Sequence, residues 1–240
     1  MTIAYKGTAY HGFQVQSNAH TVCEAFQKAT QKVIGIKEDI KPCSRTDTGV
    51  HANGFCISMK TISKIPCDKL IYALNMNLPK DIAIKSCREV DENFHARYSA
   101  SGKRYIYKVY NHPVKNPFYT DLAYHYKYPV DWDIVKTACK DLVGTHDFSA
   151  FCSTGGKVVD KVRTIYRLDI SYDRDLVIIA VEGDGFLYNM VRIIVGTLLD
   201  IGAGRRPANC IPQIIESKDR KKAGKTAPPD GLYLDRVFYD

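Results

Sequence analysis

The sequence predicts an α+β protein built on a mostly antiparallel sheet, and three features carry that expectation. Strand-like runs alternate with helical patterns along all 240 residues. Neighbouring strand runs, as in "TIYRLDISYDRDLVIIAVEG", stand one turn apart in the way hairpins do. The stretches 1–93 and 94–240 each read as an αβ unit, which makes two similar halves.

Along the chain, "TIAYKGTAYHGFQ" begins as a short β-type run that breaks at Gly7 and again at Gly12. Thr21 with Glu24 three residues later forms a capping box, and Val22, Ala25, Phe26, Ala29 and Val33 share one helical face until Gly35 ends it. The loop "KPCSRTDTGVHANG" then leads into the strand "FCISMK". A second helix over 67–77 stops before Pro79, and "DIAIKSCREV" reads as the strand that closes the first half. The second half opens on the strand "KRYIYKVYN", followed by a helix over 131–143 ended by Gly144 and the strand pair quoted above. An apolar helix, "LYNMVRIIVGTLLDIG", a short helix over 211–217, the basic loop "SKDRKKAGKTAPPDG" and a last strand, "LYLDRVFY", complete it.

Composition narrows the classes of function. A hydrophobic content of 45% is that of a globular chain. No run approaches the roughly 20 apolar residues of a membrane span, and "MTIAYKGTAYHGFQ" has no signal-peptide core, so a soluble, cytoplasmic protein is expected. The eight cysteines are scattered without the C-x₂-C spacing of zinc or redox sites, which reads as reduced and structural. A net charge of +8 with a pI near 9.0 suits a polyanion partner such as nucleic acid.

Within "CSRTDTGVHA", Asp47 has three readings: a turn residue, half of an acid-protease dyad, or a nucleophile. A turn is what Asp-x-Gly commonly makes. The protease reading requires two such carboxylates. This chain has one copy of the tripeptide, preceded by the polar "CSRT" instead of a buried apolar strand. Arg45 reads as a surface charge ahead of a phosphate contact or a carboxylate partner, and His51 is ambiguous between a structural histidine and a base, with the structural reading ahead.

On "KRYIYKVY", Tyr105, Tyr107 and Val109 alternate with Arg104, Ile106, Lys108 and Tyr110, next to Lys103. Rings with interleaved cations suit single-stranded RNA, and also simply make a good strand. Arg192 sits in an otherwise apolar helix. It requires either a partner or a head group that reaches water. Lys221 and Lys222, in the basic loop, read as solvated charge or as phosphate contacts.

Taken together, "IAYKGTAYHGFQ", "CSRTDTGVHA", "FHARYSASGKRYIYKVYN", "GTHDFSAF", "GFLYNMVRIIVG" and "PPDGLYL" resemble the tRNA pseudouridine synthases of the TruA type over nearly the whole chain. The resemblance implies two ferredoxin-like halves whose strands form one mainly antiparallel sheet with flanking helices and a central RNA-binding cleft. It implies a homodimer that binds tRNA and isomerises uridine to pseudouridine at positions 38, 39 and 40 of the anticodon stem-loop, with no cofactor and no metal. Residue by residue, Asp47 matches the family's catalytic aspartate, Tyr105 the tyrosine that packs on the target uracil, and Arg192 the arginine paired with the aspartate. Arg45 matches the arginine that helps extrude the nucleotide, while Lys103, Arg104, Lys221 and Lys222 are the further cations expected on RNA. The chain departs from the family pattern at Ser44, where alanine or glycine is common, and at Phe13, where tryptophan is common. A non-catalytic RNA-binding or chaperone module on the same fold is the alternative.

Overall fold

The computed structural model describes residues 1–155 and 158–239. They form two compact units, 1–101 with 233–240, and 102–232. The division falls at Ser101–Gly102, eight residues beyond the boundary expected from the sequence, and the C-terminal strand returns to the first unit because it pairs there.

In the first unit, β1 (Thr2–Tyr5) lies between β4 (Ile82–Ser86) and β3 (His51–Ser58), antiparallel to both. The short β2 (Lys41–Pro42) pairs antiparallel with β3. The returning strand, β10 (Leu232–Phe238), pairs parallel with β3, with Tyr233 opposite His51 and Leu234 opposite Ala52. The first helix, α1 (Val22–Ile34), keeps the Thr21 half of its capping box, the hydroxyl accepting from Glu24 N at 3.3 Å, while the Glu24 carboxylate turns to Lys28 and His20; Gly35 ends the helix at φ 88°. The second, α2 (Cys67–Asn75), stops two residues short of expectation. The core is aromatic: Phe13, Phe26 and Phe55 are fully buried, and Phe13 stacks on Phe55 at 4.3 Å.

In the second unit, β5 (Gly102–Tyr110) pairs antiparallel with β9 (Leu176–Gly183), which pairs antiparallel with β8 (Val162–Asp173). The edge strand β7 (Gly144–Asp147) pairs with β8, and β6 (Tyr124–His125) runs parallel to β5. The helix expected over 131–143 is split into α3 (Trp132–Cys139), capped by Asp131, and a 3₁₀ turn at Lys140–Leu142. The apolar helix α4 (Met190–Gly202) packs on α3 and β5 and buries eleven of its thirteen residues. At about 1.5–3 kcal/mol for each large aliphatic side chain, it is the chief hydrophobic anchor of this unit. The short α5 (Ile211–Ser217) follows. The α+β expectation, with mainly antiparallel pairing, holds in both units.

All eight cysteines are free thiols. Burial pushes the Cys23 thiol up to about 11 and Cys139 to about 12, as fits packing residues.

Asp147, in "GTHDFSAF", accepts from Ser149 N and Ser149 Oγ and pairs with Lys218 at 2.8 Å. The Lys218 ammonium and the Ser149 hydroxyl hold its carboxyl down at about 2. Because the folded value is depressed, the stabilisation is complete above the ordinary carboxylate range and is lost as pH falls from about 4 towards 2. Asp147→Asn is therefore expected to melt below the wild type at pH 7, with the gap closing by about pH 2; thermal melts across that range check it.

Candidate active site

The loop that carries Asp47 is fastened from every side within the first unit. Val50 N donates to Asp47 O at 3.2 Å, closing a turn in which Gly49 takes φ 80°, the value a type II turn requires at its third position. Gly49 N donates in turn to Tyr10 O at 3.2 Å. The Tyr5 and Thr46 hydroxyls share a buried hydrogen bond at 2.8 Å. His51 is fully buried, with Nδ1 accepting from Gly7 N at 2.9 Å and its ring stacked on Tyr233 at 4.6 Å. It is thus the structural histidine its sequence context allows, with no proton at Nδ1. Asp47 itself is half-buried, while Arg45, two residues upstream, is exposed. The Ser44 hydroxyl bonds to Arg45 O at 3.3 Å.

The N-terminal "YKGTAYHGFQ" owes its glycines to this loop. Gly12 has φ 79°, and a Cβ there would lie 2.2 Å from Thr46 O, next to the Asp47 peptide. Gly12→Ala is expected to cost about 2–4 kcal/mol in urea unfolding, combining left-handed strain with a backbone clash. Gly35→Ala, at φ 88° with nothing within 4 Å, is the control and should cost only the strain, about 1–2 kcal/mol.

In the second unit, Tyr105 is 7% exposed, and its ring meets the edge of Phe186 at 5.1 Å. Of the two readings of β5, the plain strand is the one that describes its other tyrosines. Tyr107 is fully buried and donates from its hydroxyl to Pro228 O at 2.7 Å, and Tyr110 is also buried. These two rings are core on opposite faces of the strand: Tyr107 lies against Gly231 and Pro228, and Tyr110 packs with Ala123, Leu176 and Tyr119. Of the cations on that strand, Lys103 is half-buried, and Arg104 pairs with Glu182 of β9 at 3.6 Å.

Arg192, on the first turn of α4, donates from Nε to Ala227 O at 2.7 Å and from Nη1 to Asn189 Oδ1 at 2.8 Å. It also acts on Asp230, whose carboxyl is pushed up by burial and pulled back by its own backbone hydrogen bond and the Arg192 charge. The "SKDRKKAGKTAPPDG" segment is not a solvated loop. Arg220 donates to Gly224 O and Thr226 Oγ1, Arg206 donates to Lys222 O and Ala223 O, and Gly224 N donates to Thr197 Oγ1 of α4. A Cβ on Gly196 would lie 1.7 Å from Lys225 O, so the segment lies directly on the helix backbone. Lys221 and Lys222 remain exposed.

The structure thus sets Arg45 and Asp47 on one loop of the first unit. It sets Lys103, Arg104, Tyr105, Arg192, Lys221 and Lys222 in the second. Sequence reasoning passed over Tyr5, Thr46, Asn189 and Ser153, which fasten these segments; isolated hydroxyls and amides carry no periodic signal.

The profile of a family described as tRNA pseudouridine synthase matches residues 1–99 and 138–240. A protein of Acetivibrio thermocellus named tRNA pseudouridine synthase A is 48% identical over 239 residues, covering 100% of this chain and 98% of its own. Proteins of the same name are 48% identical in Ruminiclostridium cellulolyticum, over 240 residues, and 44% identical in a Geobacillus strain, over 240 residues, with 98% and 97% of their own lengths covered. Among solved structures, a crystal structure of a Cbf5-Nop10-Gar1 complex aligns with 98% of this chain and 57% of that chain at 9% identity, with a TM-score of 0.39, too low to bear on the fold.

Proposed function

The chain belongs to the tRNA pseudouridine synthase family, and from that premise we infer that it isomerises uridine to pseudouridine at positions 38, 39 and 40 of the tRNA anticodon stem-loop, with Asp47 as the reacting carboxylate. The observation that carries the assignment is the fastening of the Asp47 loop. A half-buried carboxylate on a turn held by Tyr5, Gly7, Tyr10 and Gly12 is organised before any substrate arrives.

The reaction breaks the bond between ribose C1′ and uracil N1 and forms one between C1′ and C5. Asp47 either attacks C1′ while the bonding pair leaves on N1, or removes the C2′ proton to leave a glycal; both routes require it ionised. The freed base turns and C5 bonds to C1′, which expels the Asp47 carboxylate on the first route and returns the proton from Asp47 to C2′ on the second; the C5 proton then departs to a base or water. Arg192 is the guanidinium we assign to keep Asp47 ionised: an opposite charge at about 4 Å is worth roughly 4 kcal/mol at an effective dielectric of 20, before desolvation is subtracted. Tyr105, steadied by Phe186, supports the turning uracil. A paired nucleotide reacts only when flipped out of its stack, at a cost of a few kcal/mol, and Arg45, exposed beside Asp47, is assigned to fill the gap. Lys103, Arg104, Lys221 and Lys222 are assigned to phosphates. Of these, Lys221 and Lys222 are the most accessible; replacing both by alanine should weaken tRNA binding and lower its salt slope by about 2.

The direct test is to incubate an unmodified tRNA transcript bearing uridines at 38, 39 and 40 with the protein and map pseudouridine by carbodiimide labelling. Conversion confined to those positions is expected; unchanged uridines there would overturn the assignment and leave the RNA-binding module. A homodimer belongs to the same reading, and light scattering should return twice the 27.1 kDa chain mass. No helix among the described residues is long and apolar enough to cross a membrane, and a cytoplasmic location is part of the proposal.

A further inference from the structure

We propose that Asn189 is a positioning residue for the isomerisation, its carboxamide setting the plane of the Arg192 guanidinium. The inference rests on the assignment of Arg192 made above and extends it to the residue that holds its guanidinium.

Three observations carry it. Asn189 is the residue before α4 and has φ 59° and ψ 10°, a left-handed conformation that non-glycine residues seldom take and asparagine tolerates best. A helix-capping asparagine ordinarily turns its side-chain oxygen onto the backbone N–H groups of the first turn. Asn189 makes no such bond. Its Oδ1 accepts instead from Arg192 Nη1 at 2.8 Å, and its Nδ2 donates to Ser153 Oγ at 3.0 Å.

Those two bonds determine the orientation of the amide. A guanidinium has only donors, so it must face Oδ1, and Ser153 then takes the amide nitrogen. Ser153 is itself tied down, since its backbone N donates to Tyr188 O at 3.0 Å. On the other side, Arg192 Nε donates to Ala227 O at 2.7 Å, and Ala227 N returns a bond to Arg192 O at 3.0 Å. The planar head is therefore gripped at Nε and at Nη1 by two separate segments, 153–189 and 227. A guanidinium acts directionally, unlike a point charge, so this grip decides where its remaining N–H bonds point. The motif segments "GTHDFSAF" and "GFLYNMVR" acquire a shared role: Ser153, just past the first, orients the asparagine of the second, which orients the arginine.

Two variants test the proposal, each measured for single-turnover rate, tRNA affinity and melting temperature. Asn189→Gly keeps the left-handed backbone without strain and removes only the amide. Asn189→Asp keeps the side-chain shape but gives Arg192 a fixed anion at Oδ1. Both are expected to lose about 10- to 100-fold in rate, the scale of a misplacement near 1 Å, with tRNA affinity within about twofold and melting within a few degrees of wild type. Wild-type rates in the well-folded glycine variant overturn the proposal, as does a rate that falls only in step with melting temperature. If the glycine variant fails to fold, Ser153→Ala, which removes the acceptor that anchors the amide nitrogen, decides in its place by the same readouts. Arg192→Ala, run alongside, separates the two claims. Wild-type turnover there sinks the assignment of Arg192 and the role of Asn189 with it, whereas an inactive Arg192→Ala beside fully active Asn189 variants sinks the positioning role alone.

Discussion

Asp47→Asn is expected to lose about 10⁴-fold or more in the rate of pseudouridine formation, the scale on which removal of a reacting nucleophile is felt. The substitution is nearly isosteric. The backbone bonds at Val50 and Gly49 and the Tyr5–Thr46 hydroxyl pair, which help shape the loop, survive the substitution. Loss of fold is therefore not the expected cause. What disappears is the negative charge, without which the side chain neither attacks C1′ nor takes a proton from C2′. Binding should survive, because affinity for tRNA rests mainly on cations against phosphates, and removal of an anion from a surface that meets phosphates does not oppose it. Filter binding at a stated salt concentration beside single-turnover assays separates the two effects. A rate within tenfold of wild type would show that Asp47 is a turn residue only.

Gly196→Ala should give a large loss of stability. In an ordinary exposed helix interior this change is worth about 0.5–1 kcal/mol in favour of alanine. Here the sign reverses, because the new Cβ would stand 1.7 Å from Lys225 O, and a backbone carbonyl is not easily displaced. Segment 217–231 must lift off α4. The bonds at risk are Gly224 N to Thr197 Oγ1, Ala227 N to Arg192 O and Arg192 Nε to Ala227 O. At about 1 kcal/mol each, and with the helix gain subtracted, a net loss of about 2 kcal/mol in urea unfolding is expected. Turnover should fall further than stability alone explains, since two of the three bonds hold Arg192. A variant as stable as wild type would mean that the segment is not seated on the helix.

How much of this was legible in the sequence depends on the range of the interaction. The helix α1 announced itself through a local pattern, a capping box and a C-terminal glycine only 14 residues apart, and β8 and β9 were visible because a hairpin is local too. The Asp47 loop was recognisable from its own ten residues and the motifs around it. The return of β10 to the first unit was not, because its pairing of Tyr233 with His51 joins residues 182 apart in sequence, and no local pattern encodes such a partner. The basic segment was opaque for a different reason. A run of charges reads as solvated or as a grip on phosphates, yet Arg220 is consumed by the carbonyl of Gly224 and Arg206, from outside the run, by those of Lys222 and Ala223, and only the packing of Gly196 and Gly224 against each other's segments reveals it. Tyr107 and Tyr110 illustrate the same limit, since alternation along β5 distinguishes its two faces but does not reveal that a buried ring stands on each of them.

The central claim, that this protein moves a glycosidic bond from N1 to C5 of uracil through Asp47, is tested most directly by tritium release from tRNA labelled at carbon 5 of its uridines. Pseudouridine cannot form without loss of that hydrogen. Release by wild-type protein and none by Asp47→Ala, with tRNA bound by both, is the predicted result. Equal release from the two proteins would remove Asp47 from the reaction, and no release from either with binding intact would contradict the enzymatic reading and leave an RNA-binding module.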